Sequence, residues 1–228
     1  MPRYVLPAPP VVGLPVAGTA ALFPVRRVYC VGRNYAAHAV EMGHDPDREP
    51  PFFFQKNPDN LDPSGRFPCP EGAGEVHHEL ELAVFLGAGG RDIPGEGAAA
   101  CIFGHALALD MTLRDLQAAQ KKAGRPWEVA KAFERSAPVG PIHPVAATGP
   151  LAAGRITLHV NGALRQEGEI GRMIWKVPEI IAHLSRHFVL AAGDVILTGT
   201  PAGVGPVAPG DRLDLAGERL GRFAVQVV

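Results

Sequence analysis

Apolar and polar residues alternate most clearly over residues 76–86, and that period of two predicts a strand. Short apolar runs predict further strands over 27–32, 51–56 and 195–198, and residues 102–111 form an apolar run ending in a charge. Asn161-Gly162 separates 155–160 from 163–166 and is the strongest hairpin signal in the chain. Two last strands are expected around Ala216-Gly217. Helical spacing is scarcer. Asn34 is suited to cap a helix over 35–42 that closes at Gly43. Thr112-Leu113-Arg114-Asp115 reads as a capping box opening a helix to about Lys122. Pro178 opens a third helix, in which Ile181, Leu184 and Phe188 recur at helical spacing. Strands outnumber helices and do not alternate regularly with them. The expected fold is therefore α+β, mainly β, rather than a doubly wound sheet. Residues 1–24 are rich in Pro and Gly and read as an extended arm, followed by a single domain over 25–228. Residues 44–51 and 57–75 read as loops, the first of them mobile.

Composition narrows the function classes. Apolar residues make up 46% of 228, enough for one sizeable core. The net charge of -1 and the lack of a basic run argue against a nucleic-acid partner. No stretch of about 18 apolar residues suggests a membrane span, and prolines interrupt any leader-like segment at the start. Cys30, Cys69 and Cys101 are few, odd in number and far apart, so neither a disulfide framework nor a zinc knuckle is expected. A cytoplasmic location follows as the expectation.

The chemistry concentrates in His77-His78-Glu79-Leu80-Glu81. In a strand, Glu79 and Glu81 share one face, which continues as apolar Ala83 and Phe85. Asp110 repeats the pattern by ending the apolar run 102–109. Three carboxylates about 4 Å apart would repel by roughly 4 kcal/mol per pair at an effective dielectric near 20. A divalent cation removes that conflict, and all-oxygen ligation favours Mg²⁺, Mn²⁺ or Ca²⁺ over zinc. The alternative is an exposed strand with ordinary surface carboxylates. His77 and His78 are either further ligands or supporting residues.

Acid–base candidates lie elsewhere. His38 and Glu41 stand three residues apart on the first predicted helix, where a carboxylate can orient an imidazole as a base; a surface ion pair is the alternative. Lys131 sits among apolar neighbours and is either a partly buried anion ligand or proton donor, or a chain whose head reaches solvent. The Gly-rich segment 199–205 can offer backbone N–H groups to an anion, but lacks the lysine of a phosphate loop. No Gly-x-Ser-x-Gly elbow is present.

Five segments in order, 29–38, 78–82, 109–115, 130–133 and 197–201, together resemble the fumarylacetoacetate hydrolase family. The resemblance spans roughly residues 25–228. It implies a mixed β-roll with short peripheral helices, a homodimer, and Mg²⁺ or Mn²⁺ on Glu79, Glu81 and Asp110. It casts His38 and Glu41 as a water-activating dyad on a short helix, and Lys131 as an active-site lysine. Arg114, Gln117 and Thr200 match positions that contact the keto-acid end of the substrate, and Lys56 a further active-site lysine. The Pro-rich start, 23–27 and 50–54 look most like the bacterial fumarylpyruvate hydrolase branch of gentisate breakdown. The far carboxylate of such a substrate would need a cation, with Arg33 or Lys56 as candidates. Oxaloacetate decarboxylation, a decarboxylase or isomerase of catechol-pathway diacids, and a metal-stabilised binding protein are the competing readings.

Overall fold

A computed structural model describes residues 3–41 and 49–228. Two sheets form its body. The first has six strands in the order His143–Pro144, Ile102–Leu109, Leu80–Leu86, Asp194–Leu197, Arg27–Val31 and Phe53–Lys56. All its pairings are antiparallel except Asp194–Leu197 with Arg27–Val31. The second runs Ala163–Glu169, Arg155–Val160, Arg212–Gly217, Gly221–Val227, Arg66–Phe67. Described helices are short, so the α+β, mainly β expectation holds.

Every residue of Leu80–Leu86 is buried, because both faces of the first sheet are covered. Leu80, Leu82 and Val84 join the core shared with Ile156, Leu158, Leu213 and Leu215 of the second sheet. The helix Val177–His187 closes that core with Val177, Ile180, Ile181 and Leu184, a stripe worth roughly 1.5–3 kcal/mol per side chain as an upper bound. On the opposite face, Ala83, Phe85, Ala106 and Ala108 pack against Leu14, Val16, Phe23 and Val25. Those four belong to a hairpin of Gly13–Pro15 and Leu22–Pro24 and to residues flanking it. The second half of the expected arm is thus part of this core, since Pro bars helix but not an edge strand.

Several local expectations change. Asn161 and Gly162 both take positive φ, 50° and 81°, which fits the turn read from sequence, but the second strand continues to Glu169. Ala216-Gly217 lies inside a strand, and the turn follows it. Asn34 does not cap the helix Ala36–Glu41. Its buried amide instead donates to the carbonyls of Trp175 and Thr198 and accepts from the Trp175 N–H. Thr112 does not form a capping box either: the helix Arg114–Lys122 starts after it, and Asp115 accepts from the Glu75 N–H. The end of the first helix expected at Met42-Gly43, and the loop expected over 44–51 as far as Arg48, lie outside the described residues.

Candidate active site

The strand read as continuous over 76–86 is broken at Glu79. Val76–His78 belongs to a small third sheet, between Thr112–Leu113 and Gly205–Val207. Three neighbouring strands of the six-stranded sheet therefore leave it at one level and re-pair in the smaller one. Glu79 lies at the first crossing with Glu81 just inside it, Asp110 at the second, and Gly199-Thr200 at the third. The Asp110 N–H donates to the Glu79 carbonyl (2.8 Å), which locks the first two crossings together. Glu81 faces Ala108 across the ladder, and that small methyl leaves room beside its carboxylate.

Glu79, Glu81 and Asp110 are all buried, and one oxygen from each lies within 4.8 Å of the others. The Lys131 ammonium donates to Glu79 Oε2 (2.8 Å), Asp110 Oδ2 (2.8 Å) and Thr112 Oγ1 (2.7 Å), which uses its three hydrogens. Arg114 donates to Glu79 Oε1 (2.6 Å) and to Gln117 Oε1 (2.7 Å). Burial raises the Glu79 carboxyl, but Lys131 and Arg114 outweigh it and hold the group down at about 2. Glu81 has no such cation against it. Burial, Asp110 and Glu79 push it well above the carboxylate range, and only the Gly199 N–H (2.7 Å) and the more distant Lys131 pull the other way. Gly199 has φ 93°, and a Cβ there would meet the Asn34 Cβ at 2.6 Å, so the donor position requires glycine.

These carboxylates fit a divalent cation. Glu81 is an acid that the protein alone leaves without its natural counter-charge. Asp110 Oδ1 lies 2.8 Å from Lys56 Nζ yet accepts no hydrogen bond among the described residues. The ammonium of Lys56 is directed instead to the Lys131 carbonyl, the Ser136 hydroxyl (2.9 Å) and the Ser136 carbonyl (3.2 Å). Lys56 therefore stands behind Asp110, outside the cavity lining.

The cavity above the triad is lined by Arg33, His38, Arg114, Gln117, Lys121, Lys131 and Thr200, with Phe52, Phe54 and Trp127 as an aromatic wall. His38 is buried, and its Nδ1 lies 3.1 Å from Glu41 Oε2. A carboxylate only accepts, so Nδ1 is the donor of this pair, and in the neutral ring the lone pair then falls on Nε2. The Gly203 N–H holds both oxygens of Glu41 (3.1 and 3.2 Å). The N–H groups of the Gly-rich segment thus serve anions of the chain itself: Gly199 serves Glu81, and Gly203 serves Glu41.

Of the residues selected from the sequence as ligands, acid–base groups or substrate contacts, all except Lys56, Glu41, His77 and His78 line this cavity, and Lys56 and Glu41 contact or flank residues that do. Neither histidine before Glu79 joins the triad: His77 contacts Glu75, and His78 contacts Gln166. Residues the sequence did not single out include Thr112, taken for a cap, Lys121, and Gln166. The buried Gln166 amide accepts from the Leu80 N–H (2.9 Å) and donates to Thr200 Oγ1 and the Pro201 carbonyl (both 2.8 Å). Nothing in its polar strand marks it.

Residues 27–228 match the sequence profile of the fumarylacetoacetate (FAA) hydrolase C-terminal family. The fumarylpyruvate hydrolase of Pseudomonas aeruginosa, solved with Mn²⁺ and pyruvate, superposes with a TM-score of 0.96 at 48% identity, covering 99% of both chains. The oxaloacetate tautomerase YcgM of Escherichia coli K12 is 46% identical over 84% of this chain and 88% of its own. A mitochondrial oxaloacetate tautomerase of Arabidopsis thaliana is 43% identical over 82% of this chain and 84% of its own.

Proposed function

The chain belongs to the fumarylacetoacetate hydrolase family, and on that premise we propose that it hydrolyses the C3–C4 bond of an acylpyruvate, with fumarylpyruvate as the substrate. The observation that carries this reading is the buried His38, polarised by Glu41 at 3.1 Å, in the same cavity as the three carboxylates. Hydrolysis needs a base for water beside an electrophilic site, whereas decarboxylation needs no attacking water. The likeness to the Pseudomonas enzyme supports it further, because it extends over 99% of this chain and so includes the N-terminal hairpin.

Glu79, Glu81 and Asp110 would hold the cation, Mg²⁺ or Mn²⁺, which when bound supplies positive charge for the 2-oxo-acid end of the substrate. His38 Nε2 takes a proton from water, and the resulting hydroxide attacks C4. Glu41 stabilises the imidazolium that forms. The tetrahedral carbon collapses, the C3–C4 bond breaks, and its electron pair leaves on C3 as the enolate of pyruvate. A proton then returns to C3. The products are fumarate and pyruvate, one water being consumed. Lys131, with its hydrogens on Glu79, Asp110 and Thr112, balances charge at the cavity floor. In this proposal Arg114, Gln117 and Thr200, which line the cavity, orient the keto acid. A homodimer belongs to the same proposal.

Hydrolysis in ¹⁸O-water tests this route. Attack at C4 places one ¹⁸O in the fumarate carboxylate and releases no CO₂. A second reading has support in the relatives named oxaloacetate tautomerase. Rapid enol–keto exchange of oxaloacetate, with no consumption of fumarylpyruvate, would favour it and overturn the first.

A further inference from the structure

The strand Ala163–Glu169 belongs to the second sheet, which gives no strand to the three crossings, yet one of its side chains reaches them. In an unbroken strand Leu164, Gln166 and Gly168 would share a face. The pairing with Arg155–Val160 slips at Arg165: Leu158 pairs with Gln166, and His159 with Leu164. That bulge leaves Leu164 outside, 49% exposed, and turns Gln166 inward, where it is buried. An apolar side chain is given up to solvent and a polar one taken into the core. Such an exchange costs stability unless the buried amide is fully bonded. The same strand presses on the Gly-rich segment. Gly203 has φ 93°, and a Cβ there would run into the Arg165 carbonyl oxygen.

Gln166 is bonded at all four of its hydrogen-bonding positions. Its Oε1 accepts from the Leu80 N–H (2.9 Å) and from His78 Nδ1 (3.0 Å). Its Nε2 donates to the Pro201 carbonyl and to Thr200 Oγ1 (both 2.8 Å). A backbone N–H can only donate and a backbone carbonyl can only accept, so Leu80 and Pro201 fix which end of the amide is which. The contact with Thr200 therefore has one polarity. The hydroxyl oxygen accepts, and its own hydrogen is left to be given elsewhere. Among the described residues that hydrogen meets the Pro201 carbonyl at 3.4 Å, a long contact to an oxygen that Gln166 already holds at 2.8 Å. Thr200 lines the cavity together with Glu81 and Asp110, and an anionic ligand oxygen there would be the stronger acceptor.

We infer that Gln166 is a positioning residue that makes Thr200 a one-way donor, with the hydroxyl hydrogen aimed at an oxygen of the bound 2-oxo acid. This rests on the proposed function only for placing the 2-oxo-acid end at the cavity floor. Gln166 does not line the cavity and acts through Thr200. The Leu80 N–H lies between Glu79 and Glu81 in the chain, so one amide joins the carboxylate strand to the segment that carries the donor. A hydroxyl whose oxygen is already engaged does not have to reorient when the ligand arrives, which is the benefit of a preorganised donor.

The test is a double-mutant cycle on pyruvate binding, titrated calorimetrically into the Mn²⁺-loaded protein. Gln166→Glu keeps acceptor oxygens for Leu80 and His78 but sets an oxygen where Nε2 donated, so the Thr200 hydroxyl turns back to it. Thr200→Val removes the hydroxyl and keeps the shape. Each is expected to weaken pyruvate about tenfold or more, as for one charge-assisted hydrogen bond. Thr200→Ser should keep most of the wild-type affinity. In the Thr200→Val background the loss caused by Gln166→Glu should shrink by about tenfold. Any effect of the added charge or of disturbed packing persists in that background, while the route through the hydroxyl is gone. Equal losses in both backgrounds overturn the positioning role. So does a Thr200→Val protein that binds pyruvate as tightly as wild type, a result that needs no Gln166 variant to fold. Turnover keeps the two readings apart. Coupling between Gln166 and Thr200 in a protein that leaves fumarylpyruvate intact would keep the positioning role and remove the hydrolysis. Cleavage of fumarylpyruvate with equal losses in both backgrounds would keep the hydrolysis and remove the positioning role.

Discussion

The floor of the cavity and the helix beside it are built in opposite ways. Glu79, Glu81 and Asp110 lie where long paired strands leave a six-stranded sheet, buried and tied to Lys131, Arg114 and Gly199. His38 and Glu41 ride on a helix of six residues, Ala36–Glu41, with the Glu41 side chain 35% exposed. The floor ties charge to the strands of the sheet, while the helix carries the base of the proposed reaction. Loss of the floor should cost metal and fold together, and loss of the helix pair should cost water activation alone.

The largest effect is expected at Asp110. Asp110→Ala leaves Lys56 and Lys131 buried without a shared counter-charge, which should cost about 3–5 kcal/mol in chemical denaturation. Mn²⁺ binding by calorimetry should vanish as well. A variant of unchanged stability that still binds Mn²⁺ would dissolve the contrast between the two regions. His38→Ala comes next: hydrolysis should fall by about 10²–10⁴-fold, with Mn²⁺ affinity and the unfolding midpoint retained. Parallel loss of metal binding would mean that the helix is part of the floor after all.

Glu41→Gln should be milder, about tenfold in kcat, because an amide oxygen still accepts from His38 Nδ1 but without charge. A smaller effect concerns pH. Burial, Asp110 and Glu79 raise Glu81 in the folded protein, so without metal stability falls as pH rises from the ordinary glutamate range toward the raised value. A cation needs the anion and releases that proton. The rise in thermal midpoint on adding Mn²⁺ should therefore grow with pH across that window. A rise independent of pH would mean that Glu81 is already ionised in the metal-free protein.

How much of this was legible beforehand follows from the range of each contact. The placing of Glu79 and Glu81 at one end of a buried strand, the Asn161-Gly162 turn and the stripe of Ile181 and Leu184 are local patterns, and they are readable. The break at Glu79 was not, because it depends on Thr112–Leu113 and Gly205–Val207 pairing with Val76–His78. Asn34 and Thr112 both carry helix-cap chemistry. Tertiary partners claim them instead: the backbone of Trp175 and Thr198 for one, the Lys131 ammonium for the other. Gln166 reaches Leu80 from 86 positions away, and no spacing rule spans that distance. Gly199 and Gly203 were recognised as anion-binding donors, but their anions are Glu81 and Glu41, not a ligand.

The most direct measurement follows the loss of fumarylpyruvate absorbance with protein stripped by EDTA and then re-supplied with Mn²⁺ or Mg²⁺. The account predicts no turnover after stripping, and restored turnover with equal amounts of pyruvate and fumarate. Folded, metal-loaded protein that leaves fumarylpyruvate intact, or turnover that survives removal of the metal, would contradict it.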